Sequence, residues 1–104
     1  MDKEIEYCAY KPGDEKGIID LLTMAFPFWE KLKSPLDYWK WKYVDPSMGS
    51  YIRVAKTEDK VVGVGHAVLL NVKIGGDILI GYMSGDVATH PDFRGRGYTQ
   101  KLMP

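Results

Sequence analysis

The stretch from Gly85 to Met103 constrains this chain more than any other. It opens with small or strand-forming residues, Val87, Ala88 and Thr89. Pro91 then lacks the backbone donor that a ladder needs, so the strand stops there. Pro91 and Asp92 form a turn pair. Arg94, Gly95, Arg96 and Gly97 follow, and the two glycines let a ligand approach the main chain with no Cβ in the way. A helix opens behind them, and its first N–H groups lack intrahelical partners. Those donors, the helix dipole and two guanidinium groups together suit a phosphate.

The rest of the chain supplies the elements around that strand and loop. Ile5 to Tyr10 alternates as a first strand. Lys11 to Asp14 is a turn, with Gly13 or Asp14 as a helix cap. Ile18, Leu21, Leu22, Ala25, Phe26 and Trp29 recur at helical spacing as a core-facing stripe, and Pro27 ends or kinks that helix near Phe26. Ser34, Pro35 and Asp37 mark a second helix start by capping, by fixed φ and by charge in the first turn. In the helix from Leu36 to Tyr43, Trp39 and Tyr43 share one face, and Tyr38 and Trp41 another. One face is expected to pack on the sheet through Trp39 or Trp41. The other either lids the core or lines a pocket.

Asp45 to Gly49 reads as a loop, and Tyr51 to Thr57 alternates as a strand. After a turn at Glu58 to Lys60, the β-rich run Val61 to Ile74 contains Gly63 and Gly65, which point to a bulge or a close backbone approach. Gly75 and Gly76 signal a hairpin, and Asp77 to Ser84 carries the next strand into the opening stretch. The expected fold is α/β, more narrowly α+β: a first strand, two helices, an antiparallel three-stranded meander and the start of another helix, in a single domain over residues 1–104.

Fourteen basic and fourteen acidic residues cancel, which argues against nucleic acid or an anionic membrane as partner. No apolar run approaches the ~20 residues of a membrane span. Cys8, the only cysteine, excludes an internal disulfide framework. With a charged N-terminus unlike a signal peptide, it suggests a reducing cytoplasm. The two histidines and the cysteine lack metal-ligand spacing. There is no Gly-x-Ser-x-Gly elbow, and no Gly-Lys-Ser/Thr follows the loop. His66, alone in a strand pattern, reads as a satisfied or solvent-facing side chain rather than a base, and His90 as a residue that positions the turn at Pro91.

The segment from Arg94 to Thr99 resembles the acyl-CoA pyrophosphate loop of the GNAT superfamily of N-acetyltransferases, which reads Arg/Gln-x-x-Gly-x-Gly/Ala. Arg94 and Gly97 match, and Thr99 stands where Gly or Ala is usual. Val87 to Phe93 resembles the family's preceding strand and turn, and a weaker likeness extends to the start of the chain. The resemblance implies acetyl-CoA as co-substrate and no metal. The pantetheine arm would run along the backbone of Val87, Ala88 and Thr89. The N–H groups of Arg94, Gly95, Arg96, Gly97, Tyr98 and Thr99 would hold the pyrophosphate. The acceptor would be a small-molecule or peptide amine, flanked by the early helices. In such chemistry the amine attacks the thioester, a base takes its proton, and a strand N–H stabilises the oxyanion.

Asp86 is the carboxylate in that strand. It could serve as the base if burial raised its pKa; otherwise it pairs with an arginine or faces solvent. A second reading keeps the fold as a non-catalytic CoA-binding or assembly module. In the family further chain follows the loop helix, whereas only Gln100 to Pro104 follow Thr99 here. The expectation is a partial domain whose strand from Tyr82 to Thr89 presents an open edge, paired with another chain in a homo-oligomer.

Overall fold

The computed structural model describes residues 5–93 and 101–102. Four strands, β1 (Glu6–Ala9), β2 (Ser50–Thr57), β3 (Lys60–Ile74) and β4 (Asp77–Thr89), form one antiparallel sheet in the order β1-β2-β3-β4. Three short helices lie between β1 and β2: α1 (Glu15–Ala25), α2 (Pro27–Glu30) and α3 (Pro35–Trp39). A π-helical turn, Lys40–Val44, continues α3, and a 3₁₀ turn, Pro91–Phe93, follows β4. The α+β class and the order of strand, helices and antiparallel meander expected from the sequence are observed, with three short helices where two were expected.

Local chemistry accounts for the boundaries. Pro27 stops α1, as expected, but it also opens α2 as its first residue, where a missing N–H costs nothing. Trp29 therefore sits on α2 and not on the α1 stripe. Asp14 and Ser34 stand at helix starts without capping through their side chains. The Asp14 carboxylate instead takes the Lys11 N–H at 3.0 Å and the Lys56 ammonium at 2.6 Å. The Ser34 hydroxyl donates to Asp37 at 2.8 Å. The β2–β3 turn places Glu58 and Asp59 at φ 52° and 61°, and the β3–β4 turn uses Gly75 at φ 62°, the positive φ values that tight hairpins require.

Ile18, Leu21, Leu22, Trp29, Trp39 and Tyr43 pack as one buried cluster with Val54, Val64 and Ala88 of the sheet. A second cluster holds Leu102 against Ala55 and Val62. There the strand glycines matter. A Cβ on Gly65 would lie 3.0 Å from the Leu102 carbonyl carbon and nearer still to its oxygen, and one on Gly63 would lie 3.0 Å from Leu102 Cδ1. The close backbone approach expected at these glycines is present. A register shift between Ala55 and Lys56 also places an extra residue, Val62, beside Gly63. β2 accompanies β3 only as far as Val68, so the rest of the β3–β4 hairpin extends as a two-stranded ribbon. It exposes Ile74, Ile78, Leu79, Ile80, Tyr82 and Met83. No described helix is long and apolar enough to cross a membrane.

Candidate active site

The pairing of β3 with β4 breaks at one point. Gly65 faces Val87 and Ala67 faces Ser84, so His66 stands opposite two residues, Gly85 and Asp86. This is a β-bulge, and it displaces the Asp86 main chain from the ladder. Buried backbone groups need partners, and side chains supply them. The Tyr43 hydroxyl accepts from the Asp86 N–H at 2.9 Å. The His66 ring meets the Asp86 carbonyl through Nδ1 at 2.6 Å. Gly85 makes the arrangement possible, because a Cβ there would come within 2.8 Å of Tyr43 Cε1.

The Asp86 carboxylate turns to the helical side of the sheet. Trp29 Nε1 donates to Oδ1 at 3.2 Å, while the Tyr43 hydroxyl and Lys42 Nζ, at 3.3 Å, both reach Oδ2. Burial works against its charged form, but the two hydrogen bonds from Tyr43 and Trp29 and the charge of Lys42 outweigh it, and the pKa lies below the usual carboxylate value. The condition attached to a role as base, a pKa raised by burial, is therefore not met: Asp86 is held ionised, its oxygens already occupied by donors. Its cationic partner among the described residues is Lys42. Burial, reinforced by the hydrogen bond to Asp86, pushes the Tyr43 phenol up.

His66 has no exposed surface. Trp39 Nε1, which can only donate, lies 3.0 Å from His66 Nε2. The proton therefore sits on Nδ1 and is donated to the Asp86 carbonyl. Burial lowers the pKa to about 4, so the ring is neutral. Tyr43 stacks on it with centroids 4.0 Å apart. His66 is the satisfied histidine the sequence suggested. His90 also holds its turn, with Nδ1 accepting from the Asp92 N–H at 3.1 Å.

The two aromatic faces separate as their spacing required. Trp39 and Tyr43 are buried, whereas Trp41 is 66% exposed. The π turn, closed by the Asp45 N–H on the Lys40 carbonyl at 2.8 Å, keeps Tyr43 on the Trp39 face and brings Lys42 to Asp86. Outside, Phe28, Tyr38 and Trp41 form an aromatic strip, with Phe28 edge-on to Tyr38 and Trp41 tilted against it. Tyr38 is the link, 5.5 Å from Phe28 and 5.7 Å from Trp41.

Of the residues singled out in the sequence, Val87, Ala88 and Thr89 follow the bulge on β4, with Ala88 and Thr89 buried. Among the described residues no strand pairs with the other edge of β4. Arg94, Gly95, Arg96, Gly97, Tyr98 and Thr99 lie outside the described residues. Trp29, Lys42 and Tyr43 were not foreseen as partners of Asp86, nor Trp39 as the partner of His66. The available signals were the glycine next to Asp86 in a strand and the four-residue spacing of Trp39 and Tyr43.

The family model of the acetyltransferase (GNAT) domain matches residues 6–104. The chain belongs to the GNAT acetyltransferase family. The GNAT fold of the chain is also that of solved structures. It is similar to a ribosomal-protein-alanine N-acetyltransferase from Brucella melitensis biovar Abortus 2308 (TM-score 0.67, 19% identity, covering 95% of this chain and 66% of that one). It is similar to a glucosamine-6-phosphate N-acetyltransferase from Arabidopsis thaliana (TM-score 0.73, 18% identity, 96% and 69%). A third similar structure is an aminoglycoside N-acetyltransferase in complex with CoA (TM-score 0.71, 11% identity, 98% and 66%). This GNAT chain thus spans about two thirds of the length of these structures. No curated protein matches its sequence.

Proposed function

We propose that this GNAT domain binds acetyl-CoA and passes the acetyl group to an amine acceptor. The observation that carries the reading is the bulge at Gly85 and Asp86 on the strand that precedes, in sequence, the Pro91–Phe93 turn and the Arg94 to Thr99 motif. In this reading the backbone of Val87, Ala88 and Thr89 takes the pantetheine by strand addition. The N–H groups of Arg94, Gly95, Arg96, Gly97, Tyr98 and Thr99 take the pyrophosphate. The thioester carbonyl lies against the β4 backbone at the bulge, where a fixed N–H receives the developing oxyanion. The acceptor, a small-molecule or peptide amine, enters beside Phe28, Tyr38 and Trp41. The amine nitrogen forms a bond to the acetyl carbon, the C–S bond breaks, the amine loses a proton and the thiolate gains one. Asp86 supports this by anchoring the bulge and not by taking the proton. With one half-buried free cysteine, the proposal places the protein in the cytoplasm.

Calorimetry with acetyl-CoA tests the binding half. The parent chain binds, and Gly97→Val, which puts a β-branched side chain where close approach is needed, binds at least tenfold more weakly (about 1.4 kcal/mol). Arg94→Ala and Arg96→Ala weaken binding less, since the main-chain donors remain. Equal affinity of parent and Gly97→Val defeats the site assignment. Thiol release with a panel of amines tests the transfer half; binding without release favours a non-catalytic module.

A further inference from the structure

We propose that Trp39, His66 and Tyr43 are positioning residues that aim a single backbone N–H, that of Val87, at the acetyl carbonyl. This rests on the reading of β4 as the acyl-CoA strand.

The Asp86 carbonyl and the Val87 N–H belong to the same trans peptide and point in opposite directions. The His66 ring holds that carbonyl at 2.6 Å, so the Val87 N–H is turned away from His66 and from β3. An independent observation agrees. The His90 N–H reaches back to the Val62 carbonyl on β3 at 2.7 Å. Alternate residues of a strand aim their main-chain groups to opposite edges. His90 and Ala88 therefore face β3, and Val87 faces the outer edge of β4.

The bulge alone does not set this direction, because a displaced peptide has lost its ladder partners and can rotate. Both rotations are blocked. The Asp86 N–H is tied to the Tyr43 hydroxyl at 2.9 Å. The Asp86 carbonyl is tied to a histidine whose tautomer is imposed by Trp39 Nε1 at 3.0 Å. His66 has no exposed surface and stacks on Tyr43 at 4.0 Å, so neither ring can swing away independently. None of the three touches the edge on which the thioester would lie. They act through the peptide that follows the bulge.

The test separates the aim of the donor from the presence of the site. His66→Phe keeps a ring of similar size against Tyr43 but loses the Nδ1–H. His66→Asn keeps an N–H near the Nδ1 position. Trp39→Phe keeps the fold's aromatic core but frees the tautomer, and serves if His66→Phe does not fold. For each, the affinities for CoA and acetyl-CoA are measured by calorimetry. The carbonyl stretch of acetyl-CoA labelled with ¹³C at the thioester carbon is read by isotope-edited infrared spectroscopy. In the parent the bound band lies below that of free acetyl-CoA, as a hydrogen-bonded carbonyl requires. In His66→Phe and Trp39→Phe the band moves back towards the free position. Their preference for acetyl-CoA over CoA falls about three- to tenfold, the worth of one hydrogen bond, while CoA affinity stays within about twofold of the parent. His66→Asn restores the band. An unmoved band in a folded, CoA-binding His66→Phe or Trp39→Phe overturns the proposal. A parent that binds no CoA overturns the acyl-CoA reading itself, and this proposal with it.

Discussion

Replacing Gly85 by alanine puts the tightest contact of the candidate site under load. The new Cβ would stand 2.8 Å from Tyr43 Cε1 and 2.9 Å from Cζ, and closer still to the hydroxyl oxygen. Ordinary carbon contacts begin near ~3.5 Å, so the ring or β4 must shift by roughly half an ångström or more. The ring has nowhere to go. It is 1% exposed, stacks on His66 and is bonded through its hydroxyl to Asp86. Overpacking of this kind costs about 1–3 kcal/mol. Loosening the bond from Tyr43 to an ionised carboxylate adds about 1.5–3 kcal/mol. The reduced freedom of alanine in the unfolded chain returns about 0.4–1 kcal/mol. The net expectation is a loss of about 1.5–5.5 kcal/mol, a large part of the ~5–15 kcal/mol typical of a native domain. Urea unfolding followed by circular dichroism reads it directly. Gly76→Ala is the control, because a Cβ there meets nothing within 4 Å and its φ is not among the positive ones. The same Gly85→Ala change on a Tyr43→Phe background costs less, since the nearest atom is gone. If Gly85→Ala is within about 0.5 kcal/mol of Gly76→Ala, or its effect simply adds to that of Tyr43→Phe, the packing argument is wrong.

Other consequences are measurable on the same material. Trp29 and Trp39 are buried and Trp41 is exposed, so iodide quenches one part of the tryptophan emission, and Trp41→Phe removes that part and leaves a blue-shifted remainder; uniform quenching counts against the assignment. His66 is neutral in the folded chain, with its pKa lowered to about 4 from 6.5. The unfolded chain therefore binds the extra proton between those values. The stability this withholds is present in full above pH 6.5 and is lost as pH falls towards 4, on the order of 3 kcal/mol. His66→Asn lacks that component, and a parent whose stability is flat from pH 6.5 to 4 would contradict the burial of the ring. The outer edge of β4 and the exposed apolar residues of the hairpin predict self-association of this chain. Light scattering after size exclusion at micromolar concentration should show a dimer or larger species, and Ile80→Lys combined with Tyr82→Lys should shift it towards monomer; a monomeric parent refutes this.

Much of the fold was legible because its signals are local. The spacing of Ile18, Leu21 and Leu22 made α1 readable, and the turn glycines made the β3–β4 hairpin readable. The short helix α2 was not, because Pro27 carries two messages, a stop for one helix and a start for the next. The π turn was not, since four-residue spacing of Trp39 and Tyr43 fits an α-helix as well, and only the bond from Asp45 to Lys40 distinguishes them. Glycine in a strand was read as a bulge signal at Gly63 and Gly65, yet the same signal at Gly85 marks the bulge that shapes the site.

Asp86 shows where such reading ends and why. Its place in the strand before the loop is a matter of sequence. Its charge is not, because the groups that decide it come from Trp29, Lys42 and Tyr43, between 43 and 57 residues away. Burial alone would have raised its pKa, as the base hypothesis needed. Three donors arriving from two helical segments reverse that sign. The same donors explain why the residue is a carboxylate at all. A displaced bulge needs an acceptor that can hold an indole, a phenol and an ammonium together, and an ionised carboxylate accepts through both oxygens. Asparagine at this position would accept through one oxygen and set an amide donor against Trp29 or Lys42. The chemistry of Asp86 is thus fixed by the helices that cover it, and through the Asp86–Val87 peptide those helices reach the edge of β4 without touching it.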